Sequence, residues 1–511
     1  MSSGPRLPLL LTAIAITSAN FMNVLDTTIA VVSLPAMSGS LGATPSQGAW
    51  ILTSYTVCLA VILPMSPWIS KRYGEIRTFV TSVLLFALTS ALCGMAVNFE
   101  MLVFFRALQG LTSGLIVPLS QTLVLRVYPP EQHGFAIGLW SVTSTTAPVL
   151  GPLIGGFITD NFGWPWIFYI NIPLGLIAAS VIWISMRHTD EKGPKVPVDA
   201  IGMLLLATGI IMLQLVLDKG HELDWLSSPD IRVMLNIAVI AAIGFFIWER
   251  REPHTIIDYS LFRYPVFVMA SVIASLFHIT YFGSMIPYPI WMQSVLGYTA
   301  TWSGLVMAGT SVLPVFGMMI VGKNMPKWNL RYLMIAGCLF GMWGIYLQAQ
   351  CSPDTTFNTM LMARVVVGIG FTLLWPPLMV ITLSAVPPDK TNSAASFFNF
   401  FRIFSTSVGI ALGMTIWQER TVFHRQHLVE ELNPLKQGKD PLFGPLRELA
   451  AGNDSAMWSI AEGMTRIQSL TLGLTDTFVL LTLMITPIMM LIPFLPSRMR
   501  GTAATKALAA D

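Results

Sequence analysis

LVFFRALQG at residues 102–110 and MLMARVVVG at residues 360–368 each carry an arginine one helical turn before a glycine in an otherwise apolar run. An arginine in such a run is costly and is kept only for a reason. Its appearance twice in matching surroundings reads as an internal repeat. A second echo agrees: WISKRYGEIR at 68–77, with Lys71, Arg72 and Arg77, is matched by GKNMPKWNLR at 322–331, with Lys323, Lys327 and Arg331. Outward from these stretches, Gly, Pro and charged clusters separate apolar runs of crossing length. Their centres lie near Ile16, Leu59, Leu85, Leu115, Val149, Ile177, Leu206, Ile240, Ile273, Leu313, Phe340, Leu373, Val408 and Leu483. The pattern is six, two and six, with the echoes at the second-to-third loop and the fourth run of each set of six.

Composition agrees. Of the 511 residues 54% are hydrophobic and 11% charged, with a mean hydropathy of +0.67, whereas a soluble domain carries about 25% charged residues. One crossing takes about 20 residues, so fourteen use about 280, close to the hydrophobic share. The sequence therefore predicts an all-α integral membrane protein with fourteen transmembrane helices, and excludes a secreted or disordered chain. A net charge of +3 is too small for a nucleic-acid footprint. Cys58, Cys93, Cys338 and Cys351 are too scattered for a disulfide framework or metal cluster, and no metal or cofactor is expected. The first run, after Arg6, resembles a signal peptide with small residues at Ala13 and Ala15, but it continues to Pro35 and is read as an uncleaved helix.

Lysine and arginine fix the expected orientation. With a cytoplasmic N-terminus the inside collects Lys71, Arg72, Arg77, Arg126, Arg187, Lys192, Lys195, Arg250, Arg251, Arg263, Lys323, Lys327, Arg331, Lys390, Arg498, Arg500 and Lys506, and the short outside loops hold Lys219 and Arg232. Both termini are thus expected in the cytoplasm of a multi-pass inner-membrane protein. The chain divides into an N-terminal six-helix half (1–188), a linker with two extra helices (189–262) and a C-terminal six-helix half (263–511). The linker opens on HTDEKGPKVPVD; the last half contains a long outside loop, 419–470, in which QERTVFHRQHLVEEL reads as amphipathic helix in water.

Charges within the spans are few: Asp26, Arg106, Arg364 and Arg402. Asp26, in MNVLDTTIAVVSLP, is a carboxylate at low dielectric and a candidate to bind and release a proton, or else a static partner for an arginine. Arg106 cannot deprotonate, but it can alter the proton affinity of a nearby carboxylate in one conformation and not in another; the structural alternative is that it caps backbone carbonyls of a neighbouring helix. Arg402, near Asn399, is open to contact with an anionic substrate or to bridging helices. The stretch TAPVLGPLIGGF, with Pro148, Gly151, Pro152, Gly155 and Gly156, predicts a bent, closely packed seam, because helix breakers survive at membrane depth where neighbours pack against them. Gly317, Gly322 and Lys323 mimic a phosphate loop, but Asn324 replaces the Ser or Thr and no strand precedes them. His424, His427 and Glu431 share a helix face at near-ligand spacing and are read as solvated surface. The many Met and Phe residues fit an adaptable apolar binding surface or plain packing.

These residues together resemble the fourteen-span drug:proton antiporter branch of the major facilitator superfamily, the EmrB-like multidrug export permeases. The resemblance runs through FMNVLDTTIA, SQGAWILTSY, FFRALQG, PLSQTLVLRVYPPE, LGPLIGG, WIFYINIPLG, LDKGHELDW and GYTATWSGL. It implies the major facilitator fold, two six-helix halves plus two extra central helices. It also puts Asp26 on the first-helix acidic motif, Arg106 on the arginine motif tied to proton coupling, and Gly151, Pro152, Gly155 and Gly156 on the antiporter motif. Two departures stand out. Val31 replaces the usual Asn, and Pro67 and Lys71 stand where Gly and Asp are common, so the cytoplasmic latch assigned to that Asp has no such residue at Lys71. Relatives with this long outside loop work with a periplasmic adaptor and an outer-membrane channel.

The expected function is a proton-coupled exporter of hydrophobic drugs or toxic amphiphiles, with lipid, protons and a small hydrophobic substrate as partners. Asp26 would take the proton and Arg106 adjust its affinity, while Asn20, Asn23, Trp50, Tyr55, Gln121, His278, Tyr281 and Arg402 would line the substrate cavity. The rivals are a dedicated exporter of one metabolite or fatty acid and a transport-dead scaffold or sensor. A membrane-bound enzyme is a weaker choice, since no catalytic constellation stands at a membrane face.

Overall fold

The computed structural model describes residues 9–128, 133–190, 199–220, 223–251, 259–325, 327–387, 390–431, 446, 448–450 and 453–497. Helices and short turns make up all the described regular structure. In hydrocarbon no water satisfies the backbone, so each crossing must close its own hydrogen bonds. Thirteen helical segments are long and apolar enough to cross: α1 (Leu9–Ser40), α2 (Gln47–Met65), α3 (Glu75–Gly94), α4 (Phe99–Val127), α6 (Trp166–Thr189), α7 (Ala200–Lys219), α8 (Pro229–Glu249), α9 (Pro265–Ser294), α10 (Ala300–Met318), α11 (Leu330–Ala349), α12 (Phe357–Ser384), α13 (Phe397–Glu430) and α14 (Asp454–Phe494). Between the fourth and sixth lies α5 (His133–Phe162), 30 residues long, which reaches about 45 Å at 1.5 Å per residue and completes fourteen. Each centre expected from hydropathy falls on its own segment. Lys192, Lys195, Arg498, Arg500 and Lys506 and most of the 188–199 linker lie outside the described residues, as do 432–445 of the long loop, and the side chains of Pro67, Lys71, Lys323 and Glu431 are likewise not described.

Turn chemistry starts the helices where the sequence offers a cap. Thr44 accepts from the Gln47 backbone while the Gln47 side chain accepts from the Thr44 backbone, a reciprocal capping box. Asn98, Thr299 and Asn453 cap α4, α10 and α14 in the same sense. α7 and α8 pack on each other, and α7 rests against α2 and α13. Only 22% of the most apolar window in each of α7 and α8 is buried, against 61% in α1, so this pair is peripheral and lipid-facing. Its connection still touches both halves: Thr53 of α2 donates to Asp218 at 2.8 Å and Trp225 donates to Glu419 of α13 at 2.8 Å.

The Gly-Pro stretch of α5 is the seam between the halves. On one side a Cβ at Gly155 would stand 2.6 Å from the Ile29 carbonyl oxygen of α1, and one at Gly151 would stand 2.8 Å from the Thr28 Cβ. On the other side a Cβ at Gly156 would stand 2.5 Å from the Ala300 carbonyl oxygen, and Gly304 of α10 lies directly against the Pro152 carbonyl. Only glycine permits such approach of backbone to backbone. Asp160 then closes the end of the seam: its carboxylate accepts from the backbone N–H of Ala300 at 3.1 Å and of Thr301 at 2.7 Å, and from the Thr301 hydroxyl. Gln293 of α9 adds a bond to the Val32 carbonyl of α1 at 2.9 Å. The halves are thus sealed on the face that carries the α1–α2 turn.

Asp160 caps α10 across this seam, so Asp160→Ala should lower stability by about 1 kcal/mol, the usual value of an N-cap. Thermal unfolding in nanodiscs reads that loss, and an unchanged melting temperature would show that the cap contributes nothing.

Candidate functional site

Asp26 lies just past the middle of α1, and α2, α3, α4 and α6 each bring a polar group to its surroundings. Arg106 of α4 donates to Asp26 Oδ2 through Nη1 at 2.6 Å, and both side chains are fully buried. Asp26 Oδ1 accepts from Gln109 Nε2 at 3.1 Å and from Asn171 Nδ2 of α6 at 3.0 Å. The arginine is itself held from several directions. Its Nη1 also donates to Gln109 Oε1 at 2.8 Å, its Nε donates to the Ile51 carbonyl of α2 at 3.1 Å, and its guanidinium carbon lies 4.5 Å from the Tyr55 ring centroid. A nearby carboxylate and a backbone carbonyl of a neighbouring helix are thus both within reach of this one side chain.

An outer ring fixes the orientation of these groups. Asn171 donates as well to Ser90 Oγ at 3.0 Å, and Ser90 donates to the Phe168 carbonyl at 2.9 Å. Asn23 donates to Ser113 Oγ at 2.7 Å, and the Tyr55 hydroxyl bonds the same Ser113. A buried charge is tolerated only when it is paired and its remaining lone pairs are satisfied. Here the carboxylate has three donors from two helices besides its own.

The second half repeats the arginine without the acid. Arg364 of α12 is as buried as Arg106, but it donates to Gln348 Oε1 at 3.3 Å and to the Met307 sulfur at 2.9 Å, and lies 5.5 Å from the Tyr288 ring. Among the described residues no carboxylate pairs with it. Next to it along α9, α12 and α13 runs a wall of rings: Tyr281 and Phe371 at 5.2 Å, His278 and Trp375 at 4.8 Å, Trp375 and Phe398 at 5.9 Å. His278 Nδ1 donates to the Ala274 carbonyl at 2.8 Å.

The residues expected to line a cavity therefore fall into separate places. Asn23 and Tyr55 belong to the network around Asp26, and Asn20 is buried on the same helix. Trp50 lies near the α1–α2 turn with Lys219 5.1 Å over its ring, and Gln121 is exposed. His278, Tyr281 and Arg402 gather in the second half. Gly151, Pro152, Gly155 and Gly156 line the seam, and Pro148 lies earlier on the same helix.

Three functional positions escaped the sequence reading. Asn171 stood inside WIFYINIPLG as a lone polar residue between apolar ones, a usable signal. Asp160 gave none, because its partners are remote in the chain. At the opposite face, where Lys71 replaces an expected acid, Asp190 accepts from the backbone N–H of Ile76 at 3.0 Å and pairs with Arg77 at 3.3 Å. His424 pairs with Asp476 at 2.7 Å beside Arg420, which reaches the same carboxylate at 2.6 Å.

Two bundles of six helices, sealed on one face and holding charged groups at membrane depth, define a multi-pass membrane transporter. The model of the Major Facilitator Superfamily matches residues 16–410, and the chain belongs to that family. The multidrug export protein EmrB of Escherichia coli (strain K12) is 36% identical over 92% of this chain and 92% of its own. The fatty acid resistance protein FarB of Neisseria gonorrhoeae is 38% identical over 81% of this chain and 82% of its own. A bacterial homologue of the lysosomal transporter Spinster, in an inward-facing and unoccupied conformation, superposes with a TM-score of 0.62 at 16% identity, covering 95% of this chain and 98% of that one. A D-xylose–proton symporter gives 0.57 at 13% identity, covering 91% and 97%. These two show the fold.

Removing one partner of a buried pair leaves the other charge uncompensated, so Arg106→Ala should cost about 3 to 5 kcal/mol. The double variant Asp26→Leu with Arg106→Met should recover most of that. Denaturant unfolding of all the variants in nanodiscs measures the coupling, and additive losses would contradict a coupled pair.

Proposed function

We propose that the protein exports hydrophobic drugs or toxic amphiphiles across the inner membrane in exchange for protons, with Asp26 as the proton acceptor and both termini cytoplasmic. The observation that carries this reading is the short path from Asp26 to the seam. Thr28 and Ile29, within a turn of Asp26, are the residues on which Gly151 and Gly155 of α5 rest, and the next glycine, Gly156, rests on α10 of the other half. A proton on Asp26 removes the charge that binds α1 to Arg106. The arginine keeps the Ile51 carbonyl and Gln109 as acceptors, so α4 and α2 hold it while the hold on α1 weakens to its neutral bonds, Asn23 on Ser113 among them. Loosening α1 loosens the surface that α5 packs against, which gives protonation a route to the contact between halves.

The proton gradient supplies the driving force. Each charge crossing the potential contributes about 2.3 kcal/mol per 100 mV, enough to support accumulation against a gradient. The multidrug name of the E. coli relative and the fatty acid name of the Neisseria relative support hydrophobic cargo. The same reading assigns the hairpin of α13 and α14, with exposed Val422, Phe423, Val429 and Met464, to contact with a periplasmic adaptor that leads to an outer-membrane channel.

Asp26→Asn keeps a carbonyl acceptor for Asn171 and cannot titrate. In liposomes with an imposed pH gradient it should reduce proton-driven export at least about tenfold, as loss of an essential acid–base group does, while substrate binding persists. Full-rate proton-driven export by this variant would remove Asp26 from the mechanism. For the hairpin, Phe423→Asp should leave transport in liposomes unchanged and weaken efflux from whole cells, and equal efflux would exclude this surface as the adaptor contact.

A further inference from the structure

Arg402 is a guanidinium within a membrane span whose one polar side-chain partner among the described residues is Asn399, at 3.2 Å from Nε. No carboxylate among the described residues pairs with it, and unlike Arg106 and Arg364 it is only partly buried. One turn earlier on the same helix face, Phe398 packs on Trp375 at 5.9 Å, and Trp375 packs on His278 at 4.8 Å; residues four apart share a face. Arg402 therefore stands one turn along from an aromatic wall, with part of its surface uncovered.

The charges within the spans of the two halves are unbalanced. The first half offers Asp26, but its charge is cancelled by Arg106 at 2.6 Å, and a proton on Asp26 leaves Arg106 positive. The second half offers Arg364 and Arg402 with no acid paired to either among the described residues. A flat apolar molecule gains from the rings, and a negative group on it gains a charge-assisted hydrogen bond from the free edge of a guanidinium in low dielectric. A positive group meets repulsion in the same place.

We propose that Arg402 is a specificity-determining residue that makes the carrier prefer aromatic or hydrophobic cargo bearing one negative charge, recognised by the guanidinium while the Trp375 wall holds its apolar body. The cargo class rests on the exporter reading above; the charge preference rests on Arg402 alone. It also changes the electrical balance of transport. One proton entering as one monoanion leaves moves two charges in the same sense, whereas exchange with a monocation moves none. At fixed pH gradient the anion ratio should then change about tenfold per 30 mV, and the cation ratio should not change.

The test compares three two-ring probes of one size: 2-naphthoate, neutral 2-naphthamide and the cation N-methylquinolinium. Their binding to the full-length protein in nanodiscs is followed by titration calorimetry. Naphthoate should bind at least about tenfold more tightly than either of the others, the value of a charge-assisted hydrogen bond. Arg402→Gln should erase that difference and Arg402→Lys should keep most of it. Equal binding of the three probes by the unaltered protein overturns the proposal without needing any variant to fold, as does absent naphthoate binding. A preference that survives in Arg402→Gln overturns the role of Arg402. Asp26→Asn separates this from the exporter reading: if that variant still transports with protons, the coupling reading fails while the charge preference remains measurable.

Discussion

A single ion pair in low dielectric organises the first half of this protein. Asp26 and Arg106 meet at 2.6 Å with no exposure to solvent, and five helices supply the groups that make the arrangement tolerable. Take away Ser90 and Asn171 loses a bond that orients it; take away the Gln109 and Asn171 amides and the carboxylate is left with one bond. Buried polar networks of this kind are stable only when nearly every member is satisfied. The consequence is that α1, α2, α3, α4 and α6 are bound to one another through one small region, and a change of charge there is felt by all of them.

The two halves solve the same problem differently. The repeated arginine survives in both, but Arg364 is held by a glutamine oxygen, a thioether and a ring. A soft, neutral cage of this sort has nothing to titrate. Any proton-dependent behaviour of the two buried arginine sites is therefore confined to the first half. Along α5 and α10 the halves meet by backbone at Gly156 and Gly304, with Asp160 as the polar lock, and α2 packs on α13 as a second contact.

Much of this was legible in the sequence, and the division between what was and what was not is physical. Hydropathy is local, so all fourteen centres fell on separate helical segments, and a charge in an apolar run is rare enough that Asp26 and Arg106 declared themselves. Helix rotation is not local. Asn23 and Tyr55, polar and at suitable depth, were expected at a cavity, yet they turn to Ser113. Asp160 and Asp190 act on backbone N–H groups far away in the chain, a kind of partner that leaves no mark on residue type. Asn171 lay in a quoted motif, but only the packing of α6 against α3 and α1 gave it a carboxylate to hold.

The length of α13 has a mechanical meaning. Its 34 residues extend about 51 Å at 1.5 Å per residue, against a hydrocarbon core of about 30 Å. The surplus stands clear of the membrane, stiffened by α14 through Arg420 on Asp476 and Trp417 on the Leu470 carbonyl. It is a lever arm rooted in the second half. A rotation of about 10° about the membrane end carries a tip about 20 Å away through some 3 to 4 Å, within the range of rigid-body motions that proteins use to signal between parts. Whatever grips that tip is told the angle of the half buried beneath it, with no need to reach into the membrane.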